Sequence, residues 1–554
     1  MSTHLNAPET VAPSVPPTPS ARVAFVGAGP GDPGLLTVRA RDYLAAADII
    51  VLDSLDLAEG VRSYARPDVE FVDGSRHPCG RELSSNSQAT LVVSTATQVA
   101  DPSVLVVRLM DGDPSAFNGL ALEASACHRA GVPFEIVPGV STAWSVPMYA
   151  GVPLTGSHAS HELHMIDGSD PQIDYSLSVS DAVTVVVLGC GDDLRRALAG
   201  LVDAGRDPAT PVALTEHGTT VTQHTEVTTL SSALESLDSA QAPDATVAVV
   251  GAQVDLRSEL SWYETKPLFG WNVIIPRTKE QSGGMVERVA SYGASASVVP
   301  TISVEPPRTP QQMDKAVKGL VTGRYEWVGF TSVNAVRAVR EKFSAVGLDA
   351  RAFSGLKIAA VGGSTAGALM DWGLVPDLVP SSEQSARGLL EAWPDYDEVL
   401  DPINRVLLPR ADIATDTLIA GLQQIGWEVD DVTAYRTVRA SPPPAEVREA
   451  IKGGSFDAVC FTSSSTVRNL IGIAGKPHPR TVVACIGPAT AKTAEEHGLR
   501  VDVVAPAAST ESLVDALAAH AMDLAATFTE QGQPVLRPSE RRNGVSRGRS
   551  KARA

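Results

Sequence analysis

Cysteine is scarce and scattered. The five, Cys79, Cys127, Cys190, Cys460 and Cys485, form no CxxC pair. That argues against a disulfide framework and against a metal site, and it favours a reducing cytoplasm. Long apolar runs are missing as well: none approaches the ~18 residues of a membrane span, and no membrane partner is expected. Aromatic residues make up only 5% of the chain and charged residues 20%, against 44% hydrophobic, an ordinary mix for a soluble, well-packed protein. Positive charge is in deficit, with 45 Lys and Arg against 64 Asp and Glu for a net −19, which argues against nucleic acid as the main partner. At 554 residues the chain is too long for one core, and the usual domain size predicts roughly three or four.

The ends and the middle set the boundaries. Residues 1–20 hold five prolines and no Lys or Arg; they lack the basic start and apolar middle of a secretory signal and read as a disordered tail. Residues 523–554, with Arg537, Arg541, Arg542, Arg547, Arg549, Lys551 and Arg553, are Gly/Ser/Arg-rich and read as a disordered basic tail. Between two globular blocks stands a joint, LSWYETKPLFGWNVIIPRT at 260–278. Its Trp262, Pro267, Phe269 and Trp271 make it too aromatic for a flexible linker.

In the first block an apolar run at 22–26 enters GAGPGD at 27–32, and a helical pattern follows to Asp48. A strand, a glycine turn and a helix let backbone approach a ligand closely. The dinucleotide spacing G-x-G-x-x-G is not met, which disfavours a nicotinamide site. The next strand delivers Asp53 at its carboxyl end, where ligands of open α/β sheets bind. DGDP at 111–114, PGVSTA at 138–143, YAGVPLT at 149–155 and EHGT at 216–219 complete the series.

In this order the segments resemble the tetrapyrrole methylase family, nearest to uroporphyrinogen-III C-methyltransferases. The resemblance implies a domain over 21–264, with two α/β lobes (21–150 and 151–264) holding S-adenosylmethionine between them. Cofactor contacts would fall on Pro30, Asp111, Gly112, Asp113, Ser141, Thr142 and Gly218, and the proton-accepting carboxylate on Asp53. Four positions depart from the family pattern. Asp111 replaces a glycine, the family's lysine would fall at Gly74 or Ser75 with only Arg76 near, Leu188 replaces a methionine, and Gly156-Ser157 replaces His-Arg. A homodimer through this half is the expected assembly.

The second block repeats one pattern. FTSVNAV at 330–336 is matched by FTSSSTV at 461–467, and VGGSTAGALMDWGL at 361–374 by IGPATAKTAEEHGL at 486–499. Each copy is an apolar strand ending in hydroxyl residues, then a helix, which implies two α/β lobes of similar build. The hydroxyls suit helix N-caps. Four such helix ends facing one cleft would also attract carboxylates, each by roughly 0.3–1 kcal/mol when exposed. Strand-like passages at 296–304 and 429–438 predict a two-stranded bridge between the lobes.

This block resembles uroporphyrinogen-III synthase, on PLFGWNVIIPRT, both FTS turns, both G-x-x-T turns, LLPRAD at 407–412 and AYRTV at 434–438. The expected domain is 265–522. Lobe one comprises 270–302 plus 437–520, lobe two comprises 303–436, and both are flavodoxin-like. The resemblance implies closure of hydroxymethylbilane to uroporphyrinogen III with its last ring inverted, without a cofactor in this half. Tyr435 matches the family tyrosine that assists departure of the hydroxyl. Thr331, Ser332, Thr365, Ser463, Ser464 and Thr490 would bind substrate carboxylates, with Arg277 and Arg410 as charge partners. The expected protein is a cytoplasmic enzyme acting on a small tetrapyrrole. The alternatives are a synthase with a silent methylase-like scaffold, or a two-lobed binding protein for anionic small molecules.

Overall fold

Short apolar runs alternate with helical segments along the chain, and the computed structural model gathers them into four five-stranded sheets. It describes residues 20–53, 56–75, 83–99, 101–156, 160–239, 245–381, 383–414 and 416–541; Arg76, Cys79 and Ser157 lie outside these. Two compact units separate at Trp271: Met1–Trp271 with Ala290–Ser295, and Asn272–Val289 with Ala296–Ala554.

In the first unit, β1 (Arg22–Gly27), β2 (Ile49–Leu52), β3 (Glu70–Asp73), β4 (Leu105–Met110) and β5 (Phe134–Val137) form a parallel sheet in the order β3-β2-β4-β1-β5. Such sheets are covered on both faces, so central strands read as unbroken apolar runs. Alternate residues of β1 serve opposite cores. Ala24 and Val26 pack with Ala40, Leu44 and Ile50, and Val23 and Phe25 with Val92, Ala96 and Cys127. The second sheet, of β6 (Glu162–Asp167), β7 (Val183–Leu188), β8 (Pro211–Glu216), β9 (His224–Thr229) and β10 (Ala245–Val250), has the order β6-β7-β10-β8-β9. It is mixed, with β10 antiparallel to both neighbours. Helix Thr142–Tyr149 leaves the end of β5 and packs on this second sheet, Ala143 and Val146 meeting Val186, Ala213, Val247 and Val249. The loop after β5 is thereby fixed between the two lobes.

The second unit contains β11 (Asn272–Ile275), β12 (Ser295–Val298), β13 (Ile302–Glu305), β14 (Trp327–Phe330), β15 (Lys357–Ala360), β16 (Arg405–Ala411), β17 (Glu428–Arg439), β18 (Ala458–Phe461), β19 (Val482–Cys485) and β20 (Val503–Val504). Lobe one has the order β12-β11-β18-β19-β20, the 2-1-3-4-5 order of flavodoxin-like sheets. Lobe two, β13-β17-β16-β14-β15, reproduces it for four strands and fills the fifth place with β13. The long β17 runs parallel to β16 and then pairs antiparallel with β13, Ile302 opposite Arg439 and Glu305 opposite Arg436. That pair is the predicted two-stranded bridge. The repeat holds down to backbone angles: Ser332 and Ser463 cap their helices at φ −164° and −168°, and Gly362 and Gly487 at −177° and −179°.

The basic tail requires a correction. Helix Thr510–Glu530 continues past residue 522, and the segment after it folds back as far as Arg541. Ser539 N donates to Asp457 Oδ1 (2.9 Å), Arg480 donates to the carbonyls of Ser539 and Arg541, and the Arg541 guanidinium lies 4.6 Å from the Phe528 ring centre. Composition suggested disorder because these partners lie far back in the sequence. Residues 542–554 lie outside the described part.

Candidate functional site

Three glycine loops of the first unit meet at the carboxyl ends of β1, β4 and β5. Gly29 and Gly112 exchange backbone hydrogen bonds (3.1 and 3.0 Å). A Cβ on Gly139 would lie 2.1 Å from Gly112 O, and one on Gly27 2.5 Å from Gly139 Cα, so only glycine permits this approach. Asp113 Oδ2 accepts from Gly139 N (2.9 Å), and its other oxygen accepts from Ser115 N (2.9 Å). Burial pushes the Asp113 pKa up, but a bond from the Ser115 hydroxyl, with these two backbone bonds, outweighs it and holds the carboxyl below its usual range. Thr142 Oγ1 is buried without a hydrogen-bond partner beside Gly112, and Ser141 caps the helix without using its hydroxyl for the cap. Across the gap, Gly218 lies against Val146 between His217 and Thr219, both at positive φ. Asp32 N, two residues after Pro30, donates to Thr219 Oγ1 (3.0 Å).

The joint reinforces this contact. Tyr149 Oη donates to Asp32 Oδ2 (2.9 Å), Tyr263 Oη to Thr219 O (3.0 Å) and Trp262 Nε1 to Met148 O (3.0 Å). The rings of Tyr149, Trp262, Tyr263 and Phe269 pack edge to face or tilted. Both glycine loops are thus tied to the same aromatic cluster.

Asp53 stands at the end of β2 and accepts from Arg108 Nη2 (2.6 Å). Arg108, 2% exposed, also pairs with the wholly buried Glu123 through Nε and Nη2 (2.8 and 3.0 Å). Sequence reasoning missed Arg108 and Glu123. The available signal was a lone arginine inside the apolar run of β4. Asp111 keeps solvent-accessible surface, yet protein crowds its carboxylate; desolvation, then the charge of Asp53, raises its pKa. A raised acid pKa destabilises the fold where the group must ionise, and the penalty vanishes below the unfolded value of about 3.8. Asp111→Asn is therefore expected to raise the melting temperature at pH 7–8, with the gain over wild type disappearing near about pH 3.5; thermal melts against pH check this.

In the second unit Tyr435 Oη lies 3.0 Å from Ser332 Oγ, which also caps its helix by accepting from Ala335 N (3.1 Å). Arg410 of β16 faces Thr433 and the next residue, Ala411, faces Tyr435, so β17 carries one extra residue, Ala434, as a β-bulge just before the tyrosine. Bulges re-aim side chains. Tyr435 lines a cleft of ≈ 620 Å³ together with Thr278, Glu305, Asn334 and Arg337. Thr365 and Thr490 are buried, 3% and 4% exposed, and Thr331 is half-buried. Ser463 caps its helix through Thr466 N (3.2 Å) and lines a second cavity with Arg277.

Two expected ligands of substrate point elsewhere. Ser464 Oγ donates to Ala489 O (3.1 Å) and accepts from Thr493 (2.8 Å), which locks two helices of its own lobe together. Arg410 is gripped by Asp431 (2.5 and 2.7 Å) and Asp416 (3.0 Å), so it carries no free charge toward a substrate. Gln384 was not foreseen: its Oε1 accepts from Gly363 N (3.0 Å) at the second glycine turn of lobe two.

Residues 22–234 match the family model Tetrapyrrole (Corrin/Porphyrin) Methylases, and residues 284–515 match Uroporphyrinogen-III synthase HemD. The porphyrin biosynthesis protein HemD of Ruminiclostridium josui is 30% identical over 508 residues, spanning 89% of this chain and 97% of that protein. The uroporphyrinogen-III C-methyltransferase of Bacillus subtilis (strain 168) is 29% identical over 320 residues, 57% of this chain and 64% of that one. Among solved structures, a uroporphyrin-III C-methyl transferase from Thermus thermophilus complexed with S-adenyl homocysteine is 29% identical, covering 42% of this chain and 99% of that chain at a TM-score of 0.36.

Proposed function

We propose that this chain, which belongs to the family of porphyrin-biosynthesis proteins that join a tetrapyrrole methylase domain to a uroporphyrinogen-III synthase domain, first closes hydroxymethylbilane to uroporphyrinogen III and then C-methylates that product toward precorrin-2. Tyr435, which lines the cleft and has its hydroxyl 3.0 Å from that of Ser332, is the observation that carries the first step. Tyr435 Oη donates a proton to the departing hydroxyl, which leaves as water. The resulting methylene is attacked by the substituted carbon of ring D; the spiro centre fragments and recloses with that ring turned over. The proton released on closure restores the tyrosine. Ser332, Ser463, Thr331, Thr365 and Thr490 hold the carboxylates of the other rings, a task of positioning rather than nucleophilic power.

For the second step the residues of the first unit fit S-adenosylmethionine. The close-packed glycines leave room for a ligand to lie against backbone, and the orphaned hydroxyl of Thr142 offers a polar group without a partner. Pro30, Gly112, Asp113, Ser141, Thr142 and Gly218 would hold it, and Asp111 would border it. When bound, it supplies an electrophilic methyl group. The methylated ring carbon already carries an acid side chain and no hydrogen. Charge is restored by loss of a proton from a pyrrole N–H or a bridging carbon, and Asp53, kept in place by Arg108, accepts it. Exposed Trp144, Met148, Leu260 and Trp262 support pairing of two copies through this unit. No described helix is long and apolar enough to cross a membrane; the scattered, unpaired cysteines support a reducing cytoplasm as the compartment.

Hydroxymethylbilane supplied with and without S-adenosylmethionine tests both steps. The expected products are methylated tetrapyrrole with it and uroporphyrinogen III without it. Uroporphyrinogen III under both conditions would make the first unit a silent scaffold, a reading that the departures at Gly74, Ser75 and Leu188 favour.

A further inference from the structure

The turn that presents Gly218 is strained. It joins β8 to β9, and its His217 and Thr219 have φ of 47° and 66°, a region where non-glycine residues are uncommon and a β-branched one is an outlier. Gly218 between them has no room for a side chain, since a Cβ would lie 2.4 Å from Val146 Cγ2. Such conformations persist only where the surroundings over-determine them, and they cluster at ligand clamps.

Every polar atom of the buried Thr219 is held from elsewhere. Its N–H donates to Gln223 Oε1 (2.7 Å), its carbonyl accepts from Tyr263 Oη (3.0 Å), and its hydroxyl accepts from Asp32 N (3.0 Å). Gln223 is itself fixed, donating through Nε2 to Glu264 Oε1 (2.8 Å), whose other oxygen pairs with Arg257 (2.8 Å). Two of the three supports therefore lead back to neighbouring residues of the joint, Tyr263 and Glu264. Both lie beyond residue 234, where the match to the methylase model ends. Burial, then the charge of Asp32, pushes the Tyr263 pKa up to about 12, so its hydroxyl stays protonated and donates at neutral pH.

We propose that Tyr263 and Glu264 are positioning residues for S-adenosylmethionine: through Thr219 and Gln223 they hold the 217–219 turn in the left-handed form that presents Gly218 to the cofactor. The inference rests on the methyl-transfer reading and extends that site into the joint. Neither side chain needs to touch the cofactor. A turn that relaxes is not competent to bind, and affinity falls by the fraction of molecules that keep it.

S-Adenosylhomocysteine titrated into the full chain by calorimetry reads this without turnover. Tyr263→Phe deletes one hydroxyl from a buried ring and is expected to weaken binding about tenfold, the upper range for one hydrogen bond. Its melting temperature should fall by no more than about 4 °C. Glu264→Gln keeps an acceptor for Gln223 but loses the charge opposite Arg257; it should weaken binding a few-fold, and it serves if the phenylalanine variant unfolds. With uroporphyrinogen III as methyl acceptor, Tyr263→Phe should raise the KM for S-adenosylmethionine about tenfold and leave kcat within about twofold, because a pre-formed turn serves ground and transition states alike. Thr219→Asn separates strain from packing, since asparagine tolerates positive φ and its side-chain carbonyl replaces the lost acceptor. Added to Tyr263→Phe, it is expected to recover most of the lost affinity. Equal affinity in wild type and Tyr263→Phe, or a double variant no better than the single one, overturns the inference and leaves the methylase reading intact. A wild type that binds no S-adenosylhomocysteine sinks both. A wild type that binds it, loses affinity in the variant and methylates nothing retains the positioning role and sinks catalysis by this unit.

Discussion

Tyr435→Phe is expected to lower the rate of uroporphyrinogen III formation by about 10²-fold or more, the span by which a positioned proton donor usually contributes. The side chain is 7% exposed, and phenylalanine keeps its packing against lobe two. Stability should fall by only about 1 kcal/mol, the usual net value of one hydrogen bond. The product should change with the rate. Spontaneous closure proceeds without inversion, so a slowed enzyme yields a rising share of the uninverted isomer. Ser332→Ala is the control. It deletes the partner of the tyrosine but also a helix cap, so it should cost about 1 kcal/mol of stability and slow catalysis less. Chromatographic separation of the two isomers, with initial rates, decides the matter. A phenylalanine variant at full speed would reduce Tyr435 to a packing residue of the bridge.

How much of this was legible beforehand depends on whether a feature is local. The paired FTS and G-x-x-T turns are local, and their cap geometry repeats between lobes almost to the degree. The bridge was legible too, because a twelve-residue strand beside a four-residue one leaves its signature in two apolar passages. What a side chain touches is not local. Arg410 at the end of β16 looked like a cation waiting for substrate, yet Asp431 lies on the next strand and Asp416 a few residues on. Ser464 looked like its neighbour Ser463, but one position around a helix turns the hydroxyl from the cleft to Ala489. The tail failed for the same reason: nothing in GQPVLRPSER announces that Asp457, buried in lobe one, accepts from Ser539 N with one oxygen and from Asn272 N with the other. Arg277 is the converse case, a candidate charge whose guanidinium has no ion-pair or hydrogen-bond partner among the described residues.

Arg108→Met should be the most damaging single change in the first unit. Glu123 is wholly buried and receives two hydrogen bonds from that guanidinium; methionine fills the space and leaves a carboxylate with no counter-charge. Breaking a buried pair from one side costs about 3–5 kcal/mol. At roughly 2–4 °C per kcal/mol for a domain of this size, the melting temperature of the first unit should drop by about 10 °C. Replacing both partners should recover most of the loss, since a well-packed apolar pair often equals or exceeds a buried ion pair. Arg108→Met with Glu123→Leu is therefore expected to melt within a few degrees of wild type. The two effects of Arg108 can then be separated. In the double variant the fold is restored but Asp53 still lacks its 2.6 Å partner, so methyl transfer should stay depressed while closure of hydroxymethylbilane proceeds normally. A double variant with full methyl transfer would show that Asp53 needs no positioning, and a single variant that melts like wild type would show that the buried pair contributes nothing to the fold.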